Sequence, residues 1–196
     1  DLYTFHPEPG KYLAFLGRVS PEKCPDQAIE LAKRVGIPMK MAAKVDPADR
    51  AYFERVVEPL LDHPLIEFVG EITDAEKSDF IGNAIGLICP YDWPEPFGLV
   101  LIESLACGTP VLAYRRGSIP EIIGHGVTGF ISENLDEMVS QVDKLGTIDR
   151  NRCRQVFDER FTAQRMTTDY VKIYQQLITD AAALPGKSGQ QHASNL

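Results

Sequence analysis

Short apolar runs alternate with amphipathic segments along most of the chain. The first run, Tyr12–Leu16, ends at Gly17 and is followed by a helical pattern over 25–35. Runs of about five residues that are bounded by turn residues predict strands. The same criterion predicts five further strands, within 39–45, 66–69, 85–89, 111–114 and 126–131.

Helix signals separate these strands. Thr73 and Glu76 have the spacing of a capping box, and so do Ser118 and Glu121. Asp46 stands before a proline, as an N-cap does at the start of a helix. The predicted helices cover 25–35, 47–57, 73–83, 99–106, 118–123, 134–145 and 162–183.

This alternation indicates βαβ units and a parallel sheet covered on both faces. We predict an α/β fold, a doubly wound, mostly parallel six-stranded sheet of the Rossmann-like type, with the sixth strand at an edge. Such sheets bind ligands at the carboxyl ends of their strands, so site residues are expected just after strands. Without an internal linker, 11–184 is predicted to form one domain and 185–196 a disordered tail.

Composition narrows the classes of partner. The 196 residues carry 20 basic and 28 acidic side chains, a net charge of −8 that argues against nucleic-acid binding through diffuse charge. No apolar run approaches the ~18 residues of a transmembrane helix, and no signal peptide precedes the first strand, as is typical of a cytoplasmic protein. The start without Met, close to a strand, is typical of a fragment.

Metal and disulfide sites are not indicated. The four histidines are scattered, and the four cysteines form no Cys-x-x-Cys pair. Cys89 and Cys107 are expected to be small core residues. The Gly-x-Gly-x-x-Gly fingerprint and the Gly-x-Ser-x-Gly elbow are both missing, which disfavours a dehydrogenase and a hydrolase.

Two cations lie on the first strand-to-helix loop. Arg18 and Lys23 are five residues apart, and from there they can converge on one polyanion such as a diphosphate, with helix amides as further donors. Two solvated cations, one of them paired with Glu22, explain the same spacing equally well.

Two acids flank the start of a predicted apolar helix. Glu103 lies inside it, and a carboxylate in apolar surroundings is costly unless it is paired or hydrogen-bonded. Sugar or ribose hydroxyls are natural donors, and Glu95 in the preceding loop can accept from others. Phe97, Gly98 and Leu99 present amides at the positive helix end. Alternatively, Glu103 pairs with an internal Arg or Lys, and Glu95 is a surface acid.

A third group follows the third strand. The backbone there, with Asp74 and Lys77, is able to hold a heterocyclic base. A capped helix start explains the same residues without a ligand.

Together these residues resemble the carboxyl-terminal half of retaining glycosyltransferases of group 1 (family 4), from about Tyr12 to Leu177. Five blocks in order carry the resemblance: Gly17-Arg18 with Lys23, Phe68-x-Gly70, Glu95-Pro-Phe-Gly-Leu-Val-Leu-Ile-Glu103, Gly108-Thr109-Pro110-Val111, and Pro120-Glu121-Ile122 followed by Gly126-Val127-Thr128-Gly129-Phe130. The resemblance implies a GT-B architecture of two Rossmann-like domains, of which this chain is the nucleotide-sugar-binding one.

The resemblance also implies residue roles. Arg18 and Lys23 would hold the donor diphosphate, Glu103 the ribose hydroxyls and Glu95 the sugar hydroxyls. The stretch that includes Ile72 would border the base. The implied catalytic residues are Arg18, Lys23 and Glu95, and the implied donor-binding residues are Gly17, Arg18, Lys23, Ile72, Asp74, Lys77, Glu95, Phe97, Gly98, Leu99 and Glu103. Cys24 stands where the family usually has glycine, which puts the loop geometry there in question.

The implied reaction is transfer of a hexosyl group from a UDP-, GDP- or ADP-sugar to an unknown acceptor, a sugar, a lipid-linked sugar or a small molecule. The anomeric configuration is retained, and no metal or cofactor is needed. Because the amino-terminal domain is missing, the fragment is expected to be inactive alone. An apolar face on the last helix, without that domain, would favour dimers. The alternatives are a non-catalytic nucleotide-sugar-binding module and a sugar-nucleotide epimerase of the same fold.

Overall fold

The computed structural model describes residues 2–183, and its centre is a six-stranded parallel sheet. The strand order is β3-β2-β1-β4-β5-β6, as in a doubly wound Rossmann-like fold, and β6 lies at one edge as predicted. The strands are β1 Tyr12–Arg18, β2 Met39–Lys44, β3 Ile66–Gly70, β4 Ala84–Cys89, β5 Val111–Tyr114 and β6 Gly129–Ser132.

Helices connect these strands. They are α1 Pro25–Val35, α2 Arg50–Tyr52, α3 Asp74–Gly82, α4 Leu99–Ala106, α5 Ile119–Ile122, α6 Leu135–Gln141, α7 Arg150–Arg160 and α8 Ala163–Ala183. The central strand β1 is buried at Leu13, Ala14 and Phe15, and Cys89 and Cys107 belong to the core as predicted. Near-continuous burial is expected where helices cover both faces of a parallel sheet.

Contacts divide the chain into two units, 1–159 and 160–196. The first unit contains the whole sheet. Its ordered contacts begin before residue 11: the Thr4 amide donates to Ser78 Oγ (2.8 Å), and the His6 amide donates to the Cys107 carbonyl (3.0 Å). In the second unit, α8 leaves apolar side chains such as Tyr174 and Ile178 exposed. The predicted tail 185–196 lies outside the described residues.

The helix predicted over 47–57 is present, but it is irregular and continues to Leu60. The segment consists of a 3-10 turn Pro47–Asp49, the single turn α2, a π-helical turn Phe53–Val57 and a second 3-10 turn Glu58–Leu60. The Asp46 side chain caps no amide and instead lies 3.3 Å from Lys44 Nζ. Tertiary contacts hold the irregular turns, since Phe53 packs on Phe68 with ring centroids 5.7 Å apart.

One of the two predicted capping boxes forms, and one helix was not predicted. Thr73 and Glu76 form the predicted capping interaction, with the Thr73 amide donating to the Glu76 carboxylate at 2.8 Å. Ser118 lies at the start of α5, but its hydroxyl caps nothing. Helix α7 has no counterpart among the predicted helices, because its sequence is mostly charged and its few apolar residues give no clear stripe.

Candidate functional site

A cavity of about 600 Å³ lies at the carboxyl ends of β1, β2, β3 and β4. This is the edge at which parallel sheets bind ligands, and its volume is ordinary for a small-molecule site. Ten of the eleven predicted site residues line it, namely Gly17, Lys23, Ile72, Asp74, Lys77, Glu95, Phe97, Gly98, Leu99 and Glu103. The strand-end rule therefore located the cavity correctly.

Lys23 and Glu95 form a direct ion pair on the cavity wall. Lys23 Nζ lies 2.5 Å from Glu95 Oε2, and both side chains are largely buried. The same ammonium lies 3.9 Å from the centroid of the Tyr91 ring, which is buried beneath it. A cation over an aromatic face gains electrostatic stabilisation, so the lysine is held by two partners at once.

Glu95 accepts two further hydrogen bonds. The Trp93 indole donates to Oε2 (3.1 Å), and the Gly98 amide donates to Oε1 (3.2 Å). Burial alone would raise the pKa of this carboxyl, but the hydrogen bonds from Lys23 and Trp93 outweigh it and hold the pKa below its usual value of 4.5. Glu95 is therefore an ionised carboxylate rather than the surface acid of the alternative interpretation.

Helix α4 begins at the cavity. Gly98 precedes it with φ of 78°, a left-handed backbone that glycine adopts without strain. Of the three amides expected to be bare, that of Gly98 is already bonded to Glu95. The amides of Leu99 and Val100 lie in the first turn of α4, where backbone amides have no acceptor within the helix.

Glu103 faces polar groups of this chain. Its Oε1 lies 3.8 Å from Lys77 Nζ, and burial together with the Glu103 carboxylate raises the pKa of Tyr3. Lys77 also lies 2.7 Å from Asp74, and this hydrogen bond raises the pKa of Lys77. The internal lysine of the alternative interpretation is thus present, and it lines the cavity together with Glu103.

Arg18 is the one predicted residue that the cavity does not include. Its guanidinium lies 2.5 Å from Glu22 and 3.4 Å from Asp49, and about half of the side chain is exposed. Arg18 is therefore paired with Glu22, as the alternative interpretation of two solvated cations expected for one of them. A role for Arg18 on a diphosphate requires it to leave two carboxylates and stays a prediction.

Cys24 has a left-handed backbone, the conformation that glycine adopts most readily. Its φ is 49° and its ψ is 50°, in the left-handed region. The thiol donates to the Pro21 carbonyl at 3.1 Å. The Cys24 amide donates to the Pro21 carbonyl and closes the 3-10 turn Pro21–Lys23, which presents Lys23.

Several cavity or supporting residues were missed by the sequence reasoning. Lys44 and Tyr91 line the cavity, and Trp93 contacts Glu95 without standing in a recognised motif. Gly117 (φ 52°) lies against the backbone of Glu95, where a Cβ would overlap it. Tyr91 and Trp93 could have been predicted from the sequence, because two aromatic residues stand together in a proline-rich loop. No sequence feature indicated a role for Gly117.

Neither a metal cluster nor a membrane span is present in the described part of the chain. In 2–183 no group of three or more His, Cys, Asp or Glu side chains is placed to hold a metal ion. Over the same range, every helix is too short or too polar to cross a bilayer.

Two curated enzymes are similar in sequence. N-acetyl-alpha-D-glucosaminyl L-malate synthase of Bacillus anthracis is 37% identical over 94 residues, which are 44% of this chain and 25% of that protein. D-inositol 3-phosphate glycosyltransferase of Mycobacterium marinum is 29% identical over 140 residues, which are 69% of this chain and 30% of that protein. The matched region thus spans about a quarter to a third of these relatives.

Two solved structures share the fold. HepE of Anabaena, in complex with UDP and glucose, has a TM-score of 0.70 at 20% identity, covering 89% of this chain and 49% of that one. The C-terminal domain of LpcC, a group 1 glycosyltransferase from Francisella tularensis, has a TM-score of 0.65 at 22% identity, covering 79% and 88%. The family described as glycosyl transferases group 1 matches residues 4–156. The chain therefore belongs to the group 1 glycosyltransferase family.

Proposed function

We propose that this chain is the donor-binding half of a retaining glycosyltransferase with two facing domains. It binds a nucleotide-diphosphate sugar and presents the anomeric carbon to an acceptor held by an amino-terminal domain. The observation that carries the proposal is the convergence of Lys23, Glu95 and Glu103 on one cavity beside the start of α4. Cations and helix amides suit a diphosphate, and the two carboxylates suit hydroxyl groups.

Each group has a role in this proposal. Lys23 and the first amides of α4 bind the diphosphate and stabilise the negative charge that develops on it as the bond to the sugar breaks. Glu95 accepts hydrogen bonds from sugar hydroxyls, and Glu103 from the ribose. Ile72, Asp74 and Lys77 border the base. Because protein cations carry the leaving charge, we propose that transfer needs no metal ion.

A UDP-sugar is the first donor to test. The similar HepE was solved with UDP and glucose, which supports a uridine nucleotide here. GDP- and ADP-sugars are the comparison ligands. With the acceptor site assigned to the absent domain, we expect binding but no transfer by the 196 residues alone; transfer by this chain alone would overturn the two-domain proposal.

The test is calorimetric titration with UDP, GDP and ADP. The wild type is compared with Arg18→Ala and Glu103→Ala, and the folding of each is checked by circular dichroism. We expect Glu103→Ala to weaken nucleotide binding about tenfold, the scale of a lost hydrogen bond to a charged group. A wild type that binds no nucleotide, or two variants that both bind as the wild type does, would contradict the proposed site.

The two alternatives predict other results. A non-catalytic module binds the nucleotide sugar but gives no transfer even when the amino-terminal domain is restored. An epimerase changes the sugar without an acceptor, which chromatography of the recovered donor detects. The match to the group 1 glycosyltransferase family favours the transferase, and so does the similarity to a glycosyltransferase and a synthase.

A further inference from the structure

The carboxylate of Glu95 is bonded unequally at its two oxygens. Oε1 accepts one hydrogen bond, from the Gly98 amide at 3.2 Å. Oε2 accepts two, from Lys23 Nζ at 2.5 Å and from Trp93 Nε1 at 3.1 Å. Trp93 therefore shares an oxygen with the cation that the proposed function assigns to the donor diphosphate.

Donor binding changes the partners of this oxygen. When a diphosphate attracts Lys23, the largely buried Glu95 carboxylate loses its cation. A buried carboxylate without a partner is costly, so other donors must replace the ammonium. Sugar hydroxyls supply such donors, but only to a carboxylate that keeps its orientation during the exchange.

The loop that carries Trp93 is fixed on both sides. The Asp92 amide donates to the Glu22 carbonyl (3.0 Å), and the Asp92 carboxylate lies 3.1 Å from Arg116 Nε. On the other side, the Ser118 amide donates to the Glu95 carbonyl at 2.8 Å. The indole is about two-thirds covered, and its ring centre lies 5.7 Å from Lys23 Nζ. Contacts that do not involve the Lys23 side chain therefore hold the segment that carries the indole.

We propose that Trp93 is a positioning residue for sugar recognition. Its indole N–H keeps Oε2 of Glu95 in place while Lys23 moves from the carboxylate to the diphosphate, so that sugar hydroxyls meet a fixed acceptor. This inference rests on the proposed function and adds to it an exchange of ion-pair partners. Trp93 therefore acts on the sugar through Glu95, and the affinity that the sugar adds depends on the indole N–H.

The test compares two substitutions of this residue. Trp93→Phe keeps an aromatic ring and removes the N–H. Trp93→His restores a donor, because Nε2 of a histidine ring overlays Nε1 of the indole when Cγ and the adjacent carbon are superposed. Titrations are done at pH 8, where the imidazole is neutral. The ligand is the nucleotide sugar that the wild type binds most tightly among UDP-glucose, GDP-mannose and ADP-glucose. Its parent nucleotide is titrated alongside it.

The quantity measured is the ratio of the two dissociation constants, nucleotide over nucleotide sugar. We expect Trp93→Phe to lower this ratio about fivefold, the scale of one hydrogen bond, and Trp93→His to restore it to within twofold of the wild type. The inference is overturned if the wild-type ratio is near one, or if Trp93→Phe has the same ratio as the wild type. It is also overturned if Trp93→His lowers the ratio as much as Trp93→Phe does. A wild type that binds no nucleotide overturns the proposed function as well.

A measurement on the wild type covers the case in which a variant fails to fold. Trp93 is the chain's sole tryptophan, so a ¹⁵N-labelled sample gives one indole N–H signal. We expect its exchange with solvent to stay as slow, or become slower, when the nucleotide sugar saturates the site. An exchange rate that rises tenfold on binding would show that the indole releases Glu95, which overturns the inference.

Discussion

The ammonium of Lys23 lies 2.5 Å from Oε2 of Glu95, 72 residues further along the chain. The carboxylate occupies the place at the lysine that an anionic ligand would take. In the proposed function, a diphosphate competes with Glu95 for this cation. Substitution of Lys23 and substitution of Glu95 should therefore have opposite effects on the affinity for UDP.

Lys23→Met should weaken UDP binding about tenfold or more, because a hydrogen bond between charged groups contributes roughly 1.5–3 kcal/mol. Glu95→Gln should leave UDP affinity unchanged or higher, because it removes the competitor and leaves the cation. Calorimetry measures both. Lys144→Met, an exposed lysine outside the cavity, is the control. A Glu95→Gln variant that loses UDP affinity as Lys23→Met does would show that the pair acts as one structural unit.

Gly117 packs against the backbone of the same glutamate. Its φ of 52° disfavours a side chain, and a Cβ would overlap the backbone N and O of Glu95. Gly117→Ala should lower the free energy of unfolding by about 3 kcal/mol, combining left-handed strain with overpacking. Gly126→Ala is the matched control, because Gly126 has φ of 75° and open space around its Cβ. Only the strain, about 1 kcal/mol, applies there. Equal losses in urea unfolding of the two variants would contradict the packing argument.

The strands and the cavity were predictable because both follow from local rules. Apolar runs bounded by turns gave the six strands, and the topology of parallel sheets places their carboxyl ends at one edge. That rule is enough to bring Lys23 near Glu95 and Glu103. It fails for Arg18, because its partner Asp49 lies in an irregular turn whose position the sequence pattern does not give.

Residues in irregular loops left no helix or strand pattern. Trp93 and Gly117 contact Glu95 from loops, whose conformation depends on contacts elsewhere in the chain. Helix α7 was missed because it has no clear apolar stripe, and Arg150 at its start is fixed by carbonyls of distant segments. The spacing of apolar residues along a helix carries no information about hydrogen bonds of this kind.

Arg150 stabilises the fold through buried hydrogen bonds. Its buried guanidinium donates to the carbonyls of His6 (2.7 Å), Ala84 (3.0 Å) and Gly82 (2.6 Å), and burial lowers its pKa. Arg150→Lys cannot reproduce this fan of donors and leaves buried carbonyls unsatisfied, so we expect a loss of about 2–4 kcal/mol in the free energy of unfolding.

The control for Arg150 is two residues away on the same helix. Arg152 is partly exposed and lies 3.5 Å from Glu159. Arg152→Lys should change the free energy of unfolding by less than about 0.5 kcal/mol, as exposed pairs usually do. If both lysine variants unfold at the same urea concentration, the buried donors contribute nothing specific to stability.

The ion pair of Glu95 also sets a pH dependence. Because its pKa in the folded protein lies below the usual 4.5, folding favours the ionised carboxylate. This contribution is complete above pH 4.5 and disappears as the pH falls through the folded pKa. Glu95→Gln lacks it at every pH, whereas the other carboxyl groups titrate alike in both proteins.

Wild type and Glu95→Gln should therefore differ most near pH 7 and converge in acid. Urea unfolding at a series of pH values between 3 and 7 measures the gap directly. The wild type should lose stability more steeply below its usual pKa of 4.5. Parallel curves would mean that Glu95 titrates alike in the folded and unfolded chain. In that case the short contact with Lys23 would not stabilise the fold. The Glu95 carboxylate would then not be fixed in position before the proposed ligand binds.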